Sequence, residues 1–281
     1  MRIRLGVFVV PHAGDHAATV EQIVAADRAG LDVVGVQDHP YQRRFLDTWT
    51  LLSYAAARTE RVLLVPDVAN LPLRPPAVLA KAAASLDLLS GGRVELGLGA
   101  GAFWDAIAAM GGPRRAPGES VDALEEAIGV IRGFWSGEPS VTLEGEYYVV
   151  RGAHAGPAPA HRIGIWLGAY KPRMLELTGR LADGWLPSLG EGFAGPGDAV
   201  RMQAAVDEAA RAAGRDPGEV ERAANVTGLS GSPDAWAEQL ARIASDLRFT
   251  TLFVGLPGDD PVGAVRRLGE DVAPRLRALL G

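Results

Sequence analysis

No cysteine occurs among the 281 residues. That absence excludes disulfides, thiolate metal sites and a cysteine nucleophile. Basic charge is also short: 34 Asp and Glu outweigh 28 Lys and Arg, with both signs mixed along the chain, and the net charge of −6 speaks against a nucleic-acid partner. No window approaches the roughly 18 continuous apolar residues that a membrane span needs. The N-terminal "MRIRLGVFVVPHAGDH" lacks a small-residue cleavage site after an apolar stretch of signal length. A cytoplasmic protein with neither nucleic-acid nor membrane partner is the expectation. There is no H-E-x-x-H and no histidine pair at helical ligand spacing, so no metal site is expected; no G-x-S-x-G elbow marks a serine hydrolase.

What is present is a beat. Short Val/Ile/Leu-rich runs alternate with helical patterns along the whole chain. "IRLGVFVV", "DVVGVQ", "VLLVPDV", "RVELGLGAG", "RIGIWLGA", "GWLP", "RAANVTGL" and "TTLFVGL" read as eight strands. The helices between them read as 16–29, 48–59, 76–90, 119–135, 174–182, 198–213, one opening at Ser232-Pro233, and 261–280 interrupted at Pro274. In the third, Val78, Leu79, Ala82, Ala83, Leu86 and Leu89 form an apolar stripe, and Gly91 suits the left-handed terminal position. Eight strand–helix units without a shift in composition predict one α/β domain over 1–281, a closed (β/α)8 TIM barrel. Two connections break the rhythm: an extended loop after strand four, Gly99 to Gly118, and a stretch before strand five whose "VTLEGEYYVV" predicts a β-hairpin turning at Glu144-Gly145. Loops of this length in a compact domain are more often functional than idle.

The glycines of "RVELGLGAGAFWD" satisfy a permissive dinucleotide pattern, G-x-G-x-x-G/A, through Gly97, Gly99 and Ala102. Context rejects it. Three strand–helix units precede it, a broken "FWDAIAAMGGPRRAPG" follows in place of a helix, and the acids at the right distance, Glu119 and Asp122, begin a helix instead of ending a strand. The stretch therefore reads as a barrel strand ending in bare backbone, against which a planar ligand or a phosphate chain can lie, with Phe103 and Trp104 beginning a substrate wall instead of a helix.

In a barrel the chemistry gathers at the C-terminal strand ends. Strand two ends in Gln37-Asp38-His39, strand three in Pro66-Asp67-Val68-Ala69-Asn70, strand four in Gly97 to Trp104, and strand five in Gly168-Ala169-Tyr170-Lys171-Pro172-Arg173. Of the five histidines only His39 falls directly at a strand end, where a neutral imidazole can relay a proton near pH 7; the alternative is that Asp38 and His39 satisfy loop backbone. Lys171 and Arg173 open a helix and suit a phosphate, or form a charged first turn at the surface.

The blocks "GVQDHPY", "VANLPLRPPAVLAKAAASLDLLSGGRVELGLGAG" and "IGIWLGAYKPRMLELTGRLADGWLPS" together resemble the bacterial-luciferase-like family of flavin and deazaflavin oxidoreductases, in the family's order and over strands two to six. The resemblance implies a flavin-type ring at the C-terminal mouth. His39 and Asp38 would lie near its reactive edge as the catalytic pair. Pro66, Asp67 and Val68, with Asn70, would form the bulge supporting the ring, where members often carry a non-prolyl cis peptide. Gly99, Ala100 and Gly101 would pass the cofactor tail. Gly168, Ala169, Lys171 and Arg173 would complete the cofactor site, the last two at its phosphate, and Phe103 and Trp104 would wall a small-molecule substrate pocket. "QDHP" is similar to the D-H pair of members that use coenzyme F420 for hydride transfer. FMN-dependent monooxygenation is the alternative, and a non-catalytic flavin-binding barrel a third. Ala102 stands where deazaflavin sugar-phosphate dehydrogenases carry Glu, a departure from their pattern. Members commonly pair, which implies a homodimer.

Overall fold

The computed structural model of the chain describes residues 3–190, 195–256, 258 and 260–281. Its first half runs β1 (Arg4–Val9), α1 (His16–Arg28), β2 (Val33–Val36), α2 (Thr48–Ala56), β3 (Leu63–Pro66), β4 (Ala69–Asn70), α3 (Pro76–Ser90), β5 (Leu96–Gly99), α4 (Trp104–Ala109) and α5 (Pro117–Trp135). A hairpin of β6 (Ser140–Glu144) and β7 (Val149–His154) follows. Then come β8 (Ile165–Leu167), α6 (Pro172–Leu181), β9 (Gly184–Trp185), β10 (Ser188–Leu189), α7 (Pro196–Ala212), β11 (Glu221–Val226), α8 (Pro233–Asp246), β12 (Thr251–Gly255), α9 (Pro261–Arg267) and α10 (Ala273–Leu280).

The hydrogen-bonded order β3-β2-β1-β12-β11-β9-β8-β5-β4 is parallel throughout. Strand three closes the ring in two steps: Leu64 of β3 bridges Val94, and β4 pairs with β5. Strand six is likewise split into β9 and β10, both paired with β11. The expected (β/α)8 barrel is thus the observed architecture. Val33, Val65, Trp166, Leu186, Ala223 and Phe253 plug its lumen, and the larger cluster lies between strands and helices. A ligand can sit on this plug but not pass through it.

Local chemistry sets the helix starts. Asp15, Asp47, Ser232 and Asp260 accept from the amides of Ala18, Thr50, Ala235 and Gly263, and α3, α5, α6, α7, α8 and α9 open on proline, whose missing N–H costs nothing there. The structure corrects several sequence expectations. Helices five, six and seven of the chain begin at those prolines, two residues earlier than the apolar pattern suggested. The hairpin turn spans residues 145–148, closed by the Gly145 amide donating to the Tyr148 carbonyl, because Glu126 gathers the amides of Glu146, Tyr147 and Tyr148. The break in the last helix is a widened turn at Leu268–Val272, ahead of Pro274; there a Cβ on Gly269 would lie 2.6 Å from the Ala29 carbonyl oxygen. Val78 and Leu89 do not face the core: α3 buries Leu79, Ala80, Ala83, Ala84 and Leu86 instead.

Candidate active site

The end of strand two is held from behind. Asp38, 1% exposed, receives both Nε and Nη2 of Arg74 at 3.0 and 2.9 Å, and the Asn70 amide at 2.9 Å. Arg74 also donates to Asp47, the N-cap of α2, at 2.8 Å. The Asp38 carboxylate therefore faces Arg74 rather than the mouth, which corrects its placement at a ring edge: it is a positioning residue. His39 beside it remains half-buried at the mouth. Gln37 Nε2 donates to His39 Nε2 at 3.5 Å, which leaves Nδ1–H to donate to the Tyr41 hydroxyl at 3.2 Å. Burial pushes the imidazole below its ordinary 6.5, partly offset by the Asp38 charge, so at neutral pH it is an uncharged base. Burial and Asp38 push the Tyr41 phenol up to about 12, which keeps it a hydroxyl.

Strands three to five form a shelf. The expected non-prolyl cis peptide is the Asp67–Val68 bond. Val68 leans across bare backbone: a Cβ on Gly97 would lie 2.2 Å from the Pro66 carbonyl oxygen, one on Gly99 2.9 Å from Val68 Cγ2, and one on Gly168 3.4 Å from the same methyl. The glycines of "GLGAG" therefore first make room for strand three. Gly101 (φ +106) is overlain by Pro72 and by the Trp104 indole, each within 2.8 Å of where its Cβ would be. Trp104 is the first residue of α4, which corrects the expectation that Phe-Trp begins no helix. Phe103 caps α4 in the left-handed region (φ 55), rare for a non-glycine residue. Its ring, 62% exposed, lies 5.6 Å from His39 and 5.9 Å from Tyr41.

Beneath the shelf Asp67 is fully enclosed. Asn225 Nδ2 donates to its Oδ1 at 3.0 Å, while Asp67 Oδ2, Asn225 Oδ1 and Asn70 Oδ1 have no partner. Burial raises the Asp67 carboxyl to about 7, opposed by the Asn225 bond. The folded protein thus binds a proton here that the unfolded chain releases near 3.8, so this group's contribution to stability is present below that value and is lost as pH rises through about 7. Asp67→Asn is expected to melt higher than the wild type at pH 8 and to lose that advantage at pH 4.5, with a difference of up to about 4 kcal/mol; parallel melting-temperature profiles for the two proteins between these pH values would refute it. Glu95, also raised to about 7 by burial and opposed by the Gly164 amide and His161, keeps its own slope in both proteins, so the difference reads Asp67 alone.

On strand five, Ala169 is buried and its carbonyl anchors the Trp185 indole at 2.9 Å. Lys171 caps α6 and is exposed; Arg173 is turned to Asp122 of α5 at 2.6 Å, so of the two expected cations Lys171 is the one left for a ligand. An apolar shelf with bare glycine edges, unpaired buried oxygens below it and a cation-capped helix beside it fits a planar ring with an anionic tail. A cavity of about 900 Å³ opens at the opposite end of the barrel among Arg4, Asp207, Arg211, Glu221 and Arg222, but it contains no imidazole and its arginines are matched to Asp207 and Glu221. Gln37 and Tyr41 at the mouth, Arg74 behind it and Asn225 beneath the shelf take part in the site although no role was assigned to them from sequence. A lone amide inside an apolar strand, and a lone arginine just before a proline-opened helix, were the available signals.

The chain is 32% identical to an F420-dependent glucose-6-phosphate dehydrogenase of Beutenbergia cavernae, over 91% of this chain and 92% of that protein. It is 37% identical to a 5,10-methylenetetrahydromethanopterin reductase of Methanolobus tindarius, over 71% of this chain and 57% of that one. Among solved structures, an F420-dependent secondary alcohol dehydrogenase superposes with a TM-score of 0.87 at 19% identity, covering 99% of this chain and 100% of that one. The coenzyme F420-dependent tetrahydromethanopterin reductase of Methanopyrus kandleri gives 0.84 at 20%, covering 98% and 100%. The luciferase-like monooxygenase family profile matches residues 3–270. The chain belongs to the luciferase-like monooxygenase family.

Proposed function

We propose that the protein is an F420-dependent oxidoreductase, a single catalytic unit working as a cytoplasmic homodimer on a small organic substrate. The observation that carries this reading is the half-buried His39 at the end of β2, next to an Asp38 fixed by Arg74 and in contact with Gln37, Tyr41 and Phe103. Bound F420 supplies a carbon centre that accepts or gives hydride and that, unlike a flavin, does not activate oxygen. Val68 and the glycine edges of strands four and five support its ring, and Lys171 serves its phosphate. His39 takes or returns the substrate proton at Nε2, displacing the long 3.5 Å bond from Gln37, while Tyr41 at Nδ1 holds the tautomer. Two relatives, 32% and 30% identical over 91% and 92% of this chain, are named for F420, which supports this cofactor over FMN.

The direct test is titration of the protein with F420 and with FMN, each oxidised and reduced, followed by fluorescence and absorbance. F420 is expected to bind at least about tenfold more tightly; tight FMN binding without F420 binding overturns the reading. F420 binding with no turnover of any substrate would favour a carrier barrel.

The homodimer is supported by α3, which exposes Val78, Leu88 and Leu89 to 64%, 46% and 84%; exposed apolar side chains on one helix mark an interaction surface more often than open solvent. Val78→Asp/Leu89→Asp is expected to halve the mass measured by light scattering, whereas a monomeric wild type contradicts it. The cytoplasmic setting rests on the charge balance and on the finding that, among the described residues, no helix is long and apolar enough to cross a membrane.

A further inference from the structure

The cavity of about 900 Å³ at the N-terminal end of the barrel has a local excess of positive charge. Its floor is the lumen plug: Arg4 lies over the Trp166 ring at 5.5 Å, and Leu63 packs against the same cluster. Arg4 has Glu221 to itself at 2.8 Å. Arg211, Arg222 and Arg248 share one carboxylate, that of Asp207. Arg222 takes its Oδ1; Oδ2 lies 3.9 Å from Arg211 and 3.6 Å from Arg248, beyond hydrogen-bond length. The remaining acids are occupied. Glu221 also accepts the Thr250 and Thr251 hydroxyls at 2.7 Å each, and Asp216 the Gly218 amide at 2.9 Å. The Arg211 and Arg248 side chains are 64% and 69% exposed, and neither guanidinium donates a hydrogen bond to any described residue. Burial, helped by the Arg248 charge, presses the Arg222 guanidinium below its ordinary range despite Asp207.

Arg248 also holds a backbone position that this chain elsewhere gives to glycine. The residue after the C-cap is left-handed at the ends of α1, α4, α5 and α7, where it is Gly30 (φ +76), Gly111 (φ +83), Gly137 (φ +84) and Gly214 (φ +72). After α8 it is Arg248 (φ +53). Glycine is the usual choice because any Cβ is strained in this region. Among the described residues Phe103, at the mouth, is the other non-glycine residue with positive φ. A strained cation kept beside two others at the rim of a cavity serves as a binding group; a helix stop alone needs only glycine.

We infer that this cavity is a second ligand site, for a phosphate dianion, free or as the phosphomonoester of a small molecule. The guanidinium charge that Asp207 leaves unmatched equals the charge of about −2 on a phosphomonoester at neutral pH, and guanidinium forks fit its oxygens. Arg222, enclosed at the start of β11, is the fixed inner cation; Arg211 from α7 and Arg248 from the end of α8 add the exposed ones. The volume leaves room for an organic group beyond the phosphate. The plug, with Trp166 and Phe253, separates the cavity from His39 and the shelf, so the ligand binds there without reacting and without displacing the cofactor.

Calorimetric titration with orthophosphate and with AMP, and with adenosine as the uncharged control, tests this with and without saturating F420. At least one dianion is expected to bind with a Kd below about 1 mM, independently of F420, and adenosine not to bind. AMP tighter than orthophosphate by about tenfold or more identifies an esterified ligand, whereas equal affinities identify phosphate itself. Arg248→Gly is expected to melt no lower than the wild type, since glycine relaxes the left-handed position, yet to bind the dianion about tenfold more weakly. Arg211→Ala/Arg248→Gly should lose about a hundredfold, with F420 affinity unchanged. Absence of saturable dianion binding up to about 10 mM overturns the inference. So does binding that adenosine matches, that is undiminished in the double variant or that competes with F420. An Arg248→Gly protein melting well below the wild type overturns it too, by making the arginine a structural tie. The titrations without F420 read this site whether or not the cofactor reading holds.

Discussion

Replacement of His39 by alanine is expected to lower hydride transfer by about a hundred- to ten-thousand-fold while leaving the F420 dissociation constant nearly unchanged. The separation follows from position. His39 projects from the end of β2 toward Tyr41 and Phe103, whereas the shelf for the ring is built by Val68, Gly97, Gly99 and Gly168. Removing the imidazole therefore deletes the proton acceptor without disturbing the shelf. Because burial holds the imidazole below 6.5, substrate oxidation in the wild type should rise with pH along a limb lying below 6.5 and then level off: protonated His39 cannot accept, neutral His39 can. His39→Gln should keep the hydrogen bonds and lose the limb. Pre-steady-state F420 reduction across pH 5–9, on the order of the range where imidazole titrates, checks both variants; a limb unchanged in His39→Gln contradicts the assignment.

Arg74→Ala is expected to destabilise the protein by roughly 3–5 kcal/mol, because it leaves the enclosed Asp38 carboxylate without its bidentate partner. In a chain of this size that lowers the melting temperature by about 10 °C. The second variant Arg74→Met/Asp38→Asn removes both charges and should recover most of that loss. Turnover should stay depressed in the double variant, with kcat affected more than KM, since the turn carrying His39 loses its tie to Asn70 and Asp47. Thermal denaturation and steady-state kinetics read the two effects separately. Full recovery of kcat with stability would reduce the pair to a structural role.

The barrel was legible because its signal is repeated: eight apolar runs, each followed by a 3.6-residue pattern, leave few other ways to bury so many Val, Ile and Leu side chains. His39 was legible because it stands alone at a strand end. What was not legible depends on contacts between distant segments. Asp67 and Asn225 are 158 positions apart and meet only in the closed lumen. Lys171 and Arg173 look alike in sequence, and only the approach of Asp122 from α5 separates them. The α3 stripe failed at Val78 and Leu89 because periodicity identifies an apolar face without saying what covers it. The glycines of strand four read as a cofactor path, and the structure adds a prior duty, the passage of Val68 across them.

The central claim, that the C-terminal mouth and not the cavity at the opposite end of the barrel holds the cofactor, is tested by F420 affinity in two variants. Gly168→Phe fills the shelf edge beside Val68; Arg211→Ala alters the lining of the opposite cavity through an exposed side chain. The account predicts that Gly168→Phe, with its melting temperature held near wild type, weakens F420 binding by about a hundredfold, and that Arg211→Ala binds as the wild type does. Unchanged binding in Gly168→Phe together with a loss in Arg211→Ala would contradict it.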